Sequence, residues 1–171
     1  FSLWDTFRAT HPLYSLIEQD KTAEFLNTFL NQYNDGGQLP IWELCANYTG
    51  CMIGYHVVSV ILDAYVKNIA PDIAKELYPA MLHISNRNKL GIPEFDEKGF
   101  ISSDDDAESV SKNLEYAYND WCISQMAKIC NDSLRFIQYV KRAQGFKNIF
   151  NPSTGFMQPK LNGNFKFGFI P

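Results

Sequence analysis

The chain has 171 residues, of which 46% are hydrophobic, 20% charged and 15% aromatic. That profile excludes a disordered segment and is long enough for one domain with a core of its own. The formal charge of −4, with no basic run interleaved with aromatics, argues against a nucleic-acid surface.

No apolar run reaches the ~20 residues that cross a bilayer, and no secretory leader is read in the first residues. The cysteines are Cys45, Cys51, Cys122 and Cys130. None is spaced as CxxC and no histidine stands beside them at zinc-finger spacing, so no structural zinc is expected. Mostly buried free thiols are expected, with room for one bridge. The chain opens on Phe1 with no initiator Met and closes on an aromatic run, so it reads as a piece of a longer protein.

In chain order, Pro12 suits the first turn of a helix over 12–19. Asp20 caps a second helix whose buried face is Phe25, Leu26, Phe29, Leu30 and Tyr33, stopped at Gly36 and Gly37. An irregular connection follows, with Thr49 as the candidate cap of a central helix over 50–68. That helix is apolar almost all round, which predicts packing on several sides. Its few polar residues, His56, Ser59, Asp63 and Lys67, recur at steps of three and four and form one stripe. Pro71 starts a fourth helix, with Ile73, Leu77, Met81 and Ile84 inward and Pro79 expected to kink or split it.

Residues 88–102 read as a Gly- and Pro-rich loop. A long helix over 104–130 follows, its three leading aspartates suited to the positive end of the helix dipole. Asp132 or Ser133 opens the last helix, with Phe136, Tyr139, Val140, Ala143 and Phe146 inward. A turn over 151–155 and an Asn162-Gly163 hairpin finish the chain. The expectation is six helices in three antiparallel hairpins. The first, third and fifth form an inner layer whose leading ends gather polar clusters.

Among those clusters, Trp4 with Asp5 and Trp42 with Glu43 repeat one pairing. An indole face stacks on the C–H face of a sugar ring, and a carboxylate accepts hydrogen bonds from its hydroxyls. The plainer reading is a buried indole beside a paired or capping acid, Asp5 with Arg8 and His11 in particular. His56 reads first as a core histidine satisfied by a neighbour. Glu115 and Asp120, mid-helix beside Tyr116, Tyr118 and Trp121, read first as surface residues and second as facing a cavity, and the aspartates at 104–106 lack the pattern of a calcium loop. No nucleotide-binding glycine loop, GxSxG turn or HExxH is present.

The strings FSLWDTFRATHPL, LPIWELCANYTGCMIGYHVVSVILDAYVKNI, SVSKNLEYAYNDWCISQMAK and NPSTGFMQPK occur in this order. Together they resemble glycoside hydrolase family 92, the calcium-dependent exo-acting α-mannosidases of N-glycans and mannans, over essentially the whole chain. The stretch Cys45-Ala46-Asn47-Tyr48 falls in a variable part of the pattern, which leaves linkage preference open.

The resemblance implies an all-α architecture: antiparallel helical hairpins making about half of an (α/α)6 toroid, with a β-sandwich domain and the second half of the toroid elsewhere in a parent polypeptide. It implies an inverting mechanism, in which one carboxyl protonates the leaving oxygen while another activates water on the opposite face. The family's acid, in an EGNAWQ-like string, its GNE string and its GNDD-like string with the base are not found here. The piece is therefore expected to be inactive alone, to hold few or none of the calcium ligands, and to supply part of the mannose pocket. By resemblance Trp4 and Asp5 contact the sugar first, Trp42 and Glu43 next, with Arg8 and His56 in support.

The implied parent is periplasmic or secreted and bacterial, so the sequons at Asn47 and Asn131 would stay bare. Half a ring leaves inner helices open, an apolar face expected to take a neighbour or a second copy. Two other readings stand beside this one: a self-sufficient helical binding module, and another toroidal glycosidase acting on α-glucosides.

Overall fold

The computed structural model describes residues 2–45 and 47–170. Phe1, Ala46 and Pro171 lie outside the described residues; they are the first residue of the opening motif, one position of the variable stretch, and the last residue.

Two short helices open the chain, α1 (Leu3–Thr6) and α2 (Thr10–Ile17). Pro12 falls in the first turn of α2 as expected. Helix α3 (Gln19–Gly36) ends at Gly37, which takes φ +73° and donates its N–H to Tyr33 O. Leu26 and Phe29 are fully buried, while Phe25, Leu30 and Tyr33 pack at the edge of the core.

The central helix is shorter than its apolar run. Helix α4 covers Val57–Val66, and residues 51–56 lead into it irregularly. Gly54, at φ +82°, interrupts helical bonding there. Beyond the helix, Asn68 and Ala70 take positive φ, which closes it. The stripe holds: Lys67 and Asp63 pair at 2.7 Å, and Ser15 of α2 hydrogen-bonds to both. Asp63 and Lys67 are thus the seam between α2 and α4, while His56 turns to Phe7 and Asn119.

Pro79 splits the next helix outright, into α5 (Pro71–Glu76) and α6 (Tyr78–Ile84), with Leu77 as the joint. Leu77, Met81 and Ile84 are fully buried. The expected loop contains a helix, α7 (Ile92–Lys98), bracketed by Gly91 and Gly99 in left-handed conformation and buried through Ile92 and Phe95.

Helix α8 runs Ser109–Ile129, five residues shorter at its start than expected. The aspartates before it are not a solvated helix start. Asp104 accepts from the Asn162 N–H and from Ser102 Oγ, each at 2.7 Å. Asp105 pairs with Lys98 and Asp106 with Lys112. The acidic run therefore ties α8 to α7 and to the C-terminal tail. Helix α9 (Ser133–Ala143) is capped by Asp132, which accepts from Arg135 N–H at 3.1 Å. Val140, expected inward, is exposed.

The strands are two-residue hairpins: β1 (Glu43–Leu44) with β2 (Asn47–Tyr48), β3 (Phe150–Asn151) with β4 (Phe156–Met157), and β5 (Lys160–Leu161) with β6 (Asn164–Phe165). Helices α2, α4 and α8 pack in succession as one layer, and α3, α5 and α9 pack behind them. The front layer keeps large apolar side chains in solvent: Leu13, Leu16 and Ile17 on α2, Val66 on α4, and Leu114, Tyr118 and Trp121 on α8. Among the described residues no helix is long and apolar enough to cross a membrane.

The cysteines correct an expectation. All four are unpaired, but only Cys122 is buried; Cys45 and Cys51 are exposed.

Candidate functional site

The two tryptophan–acid couples are 38 residues apart in the chain, yet their backbones meet. Ser2 bridges Trp42 in antiparallel fashion, and Leu3 N–H donates to Ile41 O at 3.2 Å. Leu3 and Ile41 anchor this junction in the core, 0% and 2% exposed. Trp4 and Asp5 then stand on α1, and Glu43 on β1 directly after Trp42. Both indoles are half-buried, and Asp5 is exposed. Trp4 Nε1 is buried without a partner among the described residues. Asp5 accepts from Ser2 Oγ at 2.7 Å, which fixes one carboxylate oxygen; the other has no hydrogen-bond partner among the described residues. The hairpin beside Trp42 is held by Thr49, whose N–H and Oγ1 both donate to Trp42 O.

Arg8 does not pair with Asp5 in this structure. Its guanidinium reaches across to α8, where Nη2 meets Glu115 Oε1 at 2.5 Å, and it covers the Phe7 ring at 4.7 Å. Phe7 in turn stacks flat on His56, ring centroids 3.9 Å apart and planes within 3°. Glu115, read from the sequence as a surface acid, is mostly buried, with 15% of its side chain exposed. Burial raises its pKa, and the neighbouring Arg8 charge opposes that rise. His11 likewise leaves Asp5: it is buried against Phe25 and Phe29.

His56 is fully buried, and its hydrogen bonds define its tautomer. Asn119 Oδ1 accepts the Tyr55 N–H at 2.8 Å, so the Asn119 amide nitrogen is the group that faces His56 Nδ1, 3.2 Å away. That nitrogen donates, so Nδ1 accepts and the ring proton is assigned to Nε2, which has no hydrogen-bond partner among the described residues. Nε2 lies 3.7 Å from Glu115 Oε2. Desolvation, helped by the Arg8 charge, lowers the His56 pKa to about 3, so the ring is neutral at physiological pH. Gly54 makes room for it: a Cβ there would stand 2.3 Å from Nε2. Phe7, Arg8, Pro12, Leu114, Glu115 and Tyr118 line a hollow of about 630 Å³ in front of this cluster.

Asp120, one turn on from Tyr116, is the other acid misread as surface. It is 0% exposed and accepts from the Tyr55 hydroxyl at 2.7 Å and Arg142 Nε at 2.8 Å. Burial raises its pKa, with Arg142 pulling the other way. Arg142 also donates to Asp96 and to Ser85 O. This network joins α8 to α9, α6 and α7; its groups are consumed by one another, and it is structural.

The polar cluster at the head of α4 and the α1 corner beside it can be placed among known proteins. The chain matches the glycosyl hydrolase family 92 catalytic domain over residues 1–171. It belongs to that family. A family 92 α-mannosidase of Bacteroides thetaiotaomicron, solved in complex with mannoimidazole, is 39% identical with a TM-score of 0.91, covering 100% of this chain and 23% of that enzyme. An inverting family 92 mannosidase of the same organism is 32% identical with a TM-score of 0.89, covering 99% of this chain and 24% of that one. A protein of the fungus Arthroderma benhamiae, described as an uncharacterized secreted glycosidase, is 27% identical over 78% of this chain and 20% of its own length.

The chain therefore spans about a quarter or less of the relatives it matches. Its paired helical layers are a part of the (α/α)6 toroid of this family. Among the described residues no three His, Cys, Asp or Glu side chains group together so as to hold a metal ion.

Proposed function

We propose that this chain forms one wall of the mannose pocket in an inverting exo-α-mannosidase, which releases terminal α-linked mannose from N-glycans or mannans. It is the first half of the toroid in a longer polypeptide, secreted or periplasmic, and the acid and base that cleave the bond belong to the remainder. The observation that supports this most is the backbone junction of Ser2 with Trp42. It sets two indoles and two carboxylates at one corner of the fold, the mixture of flat apolar faces and hydroxyl acceptors that a pyranose ring requires.

In this reading Trp4 and Trp42 stack on the sugar. The free oxygen of Asp5 accepts a mannose hydroxyl, and Glu43 accepts another. Arg8 and His56 stand behind them as support. Neither Asp5 nor Glu43 serves as acid or base. Most of the calcium ligands come from the remainder as well.

The test uses the full-length polypeptide. Trp4→Ala and Trp42→Ala should each raise KM for an α-mannoside at least tenfold with the circular dichroism spectrum retained. The isolated 171-residue chain should release no mannose from an α-mannobioside with calcium present. Unchanged KM in both variants, or turnover by the isolated chain, would refute the assignment. Preferred cleavage of α-glucosides by the parent would replace mannose as the substrate.

A further inference from the structure

Helix α1 has four residues and no side-chain cap. A single turn cannot hold itself in water, because the nucleation cost exceeds what one or two hydrogen bonds return. Its position must come from what grips it at either end. On the leading side the grip is backbone and core: the Ser2–Trp42 bridge, the Leu3 N–H to Ile41 O bond, and the buried Leu3 side chain. On the trailing side no backbone partner outside α1 is found for Phe7 or Arg8 among the described residues. Apart from the three residues that join α1 to α2, the grip there is made of side chains, and it closes as a ring. Phe7 lies on His56; Arg8 lies on Phe7 and pairs with Glu115; Glu115 faces His56 Nε2. Glu115 closes the ring from α8, with Oε1 on Arg8 and Oε2 3.7 Å from His56 Nε2, a proximity without a hydrogen bond.

From this geometry we infer that Glu115 is a positioning residue: with one carboxylate oxygen on Arg8 and the other facing His56, it fixes the trailing end of α1 and so the direction in which Trp4 and Asp5 face the sugar. It does not touch the substrate. Its charge is the working feature. The carboxylate and the guanidinium make a charge-assisted pair, and the negative side also attracts the Nε2–H of a neutral His56. Glu115→Gln keeps the shape, leaves Arg8 only a neutral amide oxygen to donate to, and so weakens both attractions. Arg8 then loosens from Phe7, and the corner gains freedom around its leading anchor. Because Trp4 and Asp5 bind the sugar in both ground and transition states, the loss falls on binding rather than on the chemical step.

This inference rests on the mannose-pocket reading, and two readouts separate the two claims. In the full-length polypeptide carrying 5-fluorotryptophan, the Trp4 resonance, identified by its loss in Trp4→Phe, should shift or broaden in Glu115→Gln. The resonance of Trp121, farther along the same helix as Glu115, should stay in place. KM for an α-mannoside should rise about tenfold while kcat changes less than threefold. Arg8→Lys, which keeps the charge but not the planar cover on Phe7, should give a smaller shift of the same kind.

An unmoved Trp4 resonance in Glu115→Gln would overturn the positioning role. So would equal shifts at Trp4 and Trp121 together with a lowered melting temperature, since that pattern means general loosening. A wild type that cleaves no α-mannoside would instead overturn the mannosidase reading and leave the fluorine spectrum to judge Glu115 alone.

Discussion

At the scale of single residues, the site depends on groups whose roles burial sets. Gly54 shows this most plainly. It takes φ +82°, and a Cβ would meet the His56 ring at 2.3 Å. Gly54→Ala therefore combines left-handed strain of about 1–2 kcal/mol with displacement of His56 from Phe7. Chemical denaturation should show a loss above about 1 kcal/mol, larger than a Gly36→Ala control, where nothing crowds the added methyl and φ is ordinary.

His56 also carries a pH signature. Its native pKa is lowered to about 3 from an ordinary 6.5, so the unfolded chain takes up the proton first. The stability that neutral His56 contributes is present above pH 6.5 and is lost as the pH falls towards 3, at up to about 1.4 kcal/mol per pH unit. Glu115 and Asp120 act in the opposite sense. Their raised native pKa values make the contribution greatest at low pH, and it is lost as the pH rises through those values. The diagnostic quantity is thus a difference: the gap in unfolding free energy between wild type and His56→Gln should shrink steadily from pH 6.5 to 4. A gap constant with pH would mean that His56 is protonated in the native state.

At the scale of elements, helix boundaries follow local chemistry where a residue of fixed habit stands there, and tertiary contacts where none does. Gly37 ends α3, Pro79 divides α5 from α6, and Asp132 caps α9; each was legible in the sequence. Asp132 also takes a hydrogen bond from the Tyr78 hydroxyl. Asp132→Ala should therefore cost about 1 kcal/mol for the cap and somewhat more for the orphaned hydroxyl, measurable as a lowered denaturation midpoint.

Helix α7 was missed although its signals were present: Pro93 in the first turn and Gly91 and Gly99 on either side. Glycine and proline in one stretch read as loop until their spacing is set against the length of a two-turn helix. The start of α8 was misplaced for another reason. The acidic run suited a helix dipole, but its partners, Asn162, Lys98 and Lys112, come from beyond that end, and a sequence window cannot rank them.

At the scale of the whole molecule, the front layer of α2, α4 and α8 decides behaviour. Helix α2 turns Ser15 and His11 inward and leaves Leu13, Leu16 and Ile17 in solvent, the reverse of an ordinary surface helix. Val66, Leu114, Tyr118 and Trp121 expose further apolar surface on the neighbouring helices of the layer. Apolar exposure of this kind seldom stays bare. The isolated chain should therefore bind a hydrophobic dye strongly and sediment as a self-associating species at micromolar concentration. A compact, dye-free monomer would show that this face is stable in water without a partner.

The sequence by itself determined the family, the helical hairpins, the paired layers and the two tryptophan–acid couples, because periodicity, caps and motif strings are local and survive without coordinates. It also marked the stripe of His56, Ser59, Asp63 and Lys67, of which Asp63 and Lys67 pair along α4 while His56 stands just before that helix and turns to α8. Only the tertiary structure decided which charges are buried. Glu115 and Asp120 look alike on one helix, yet one grips Arg8 at the edge of the candidate site and the other is consumed by Tyr55 and Arg142 in the core. A carboxylate's role is set by the partners and the dielectric around it. Those partners lie 107 and 22 residues away for Arg8 and Arg142, where only the folded chain can bring them.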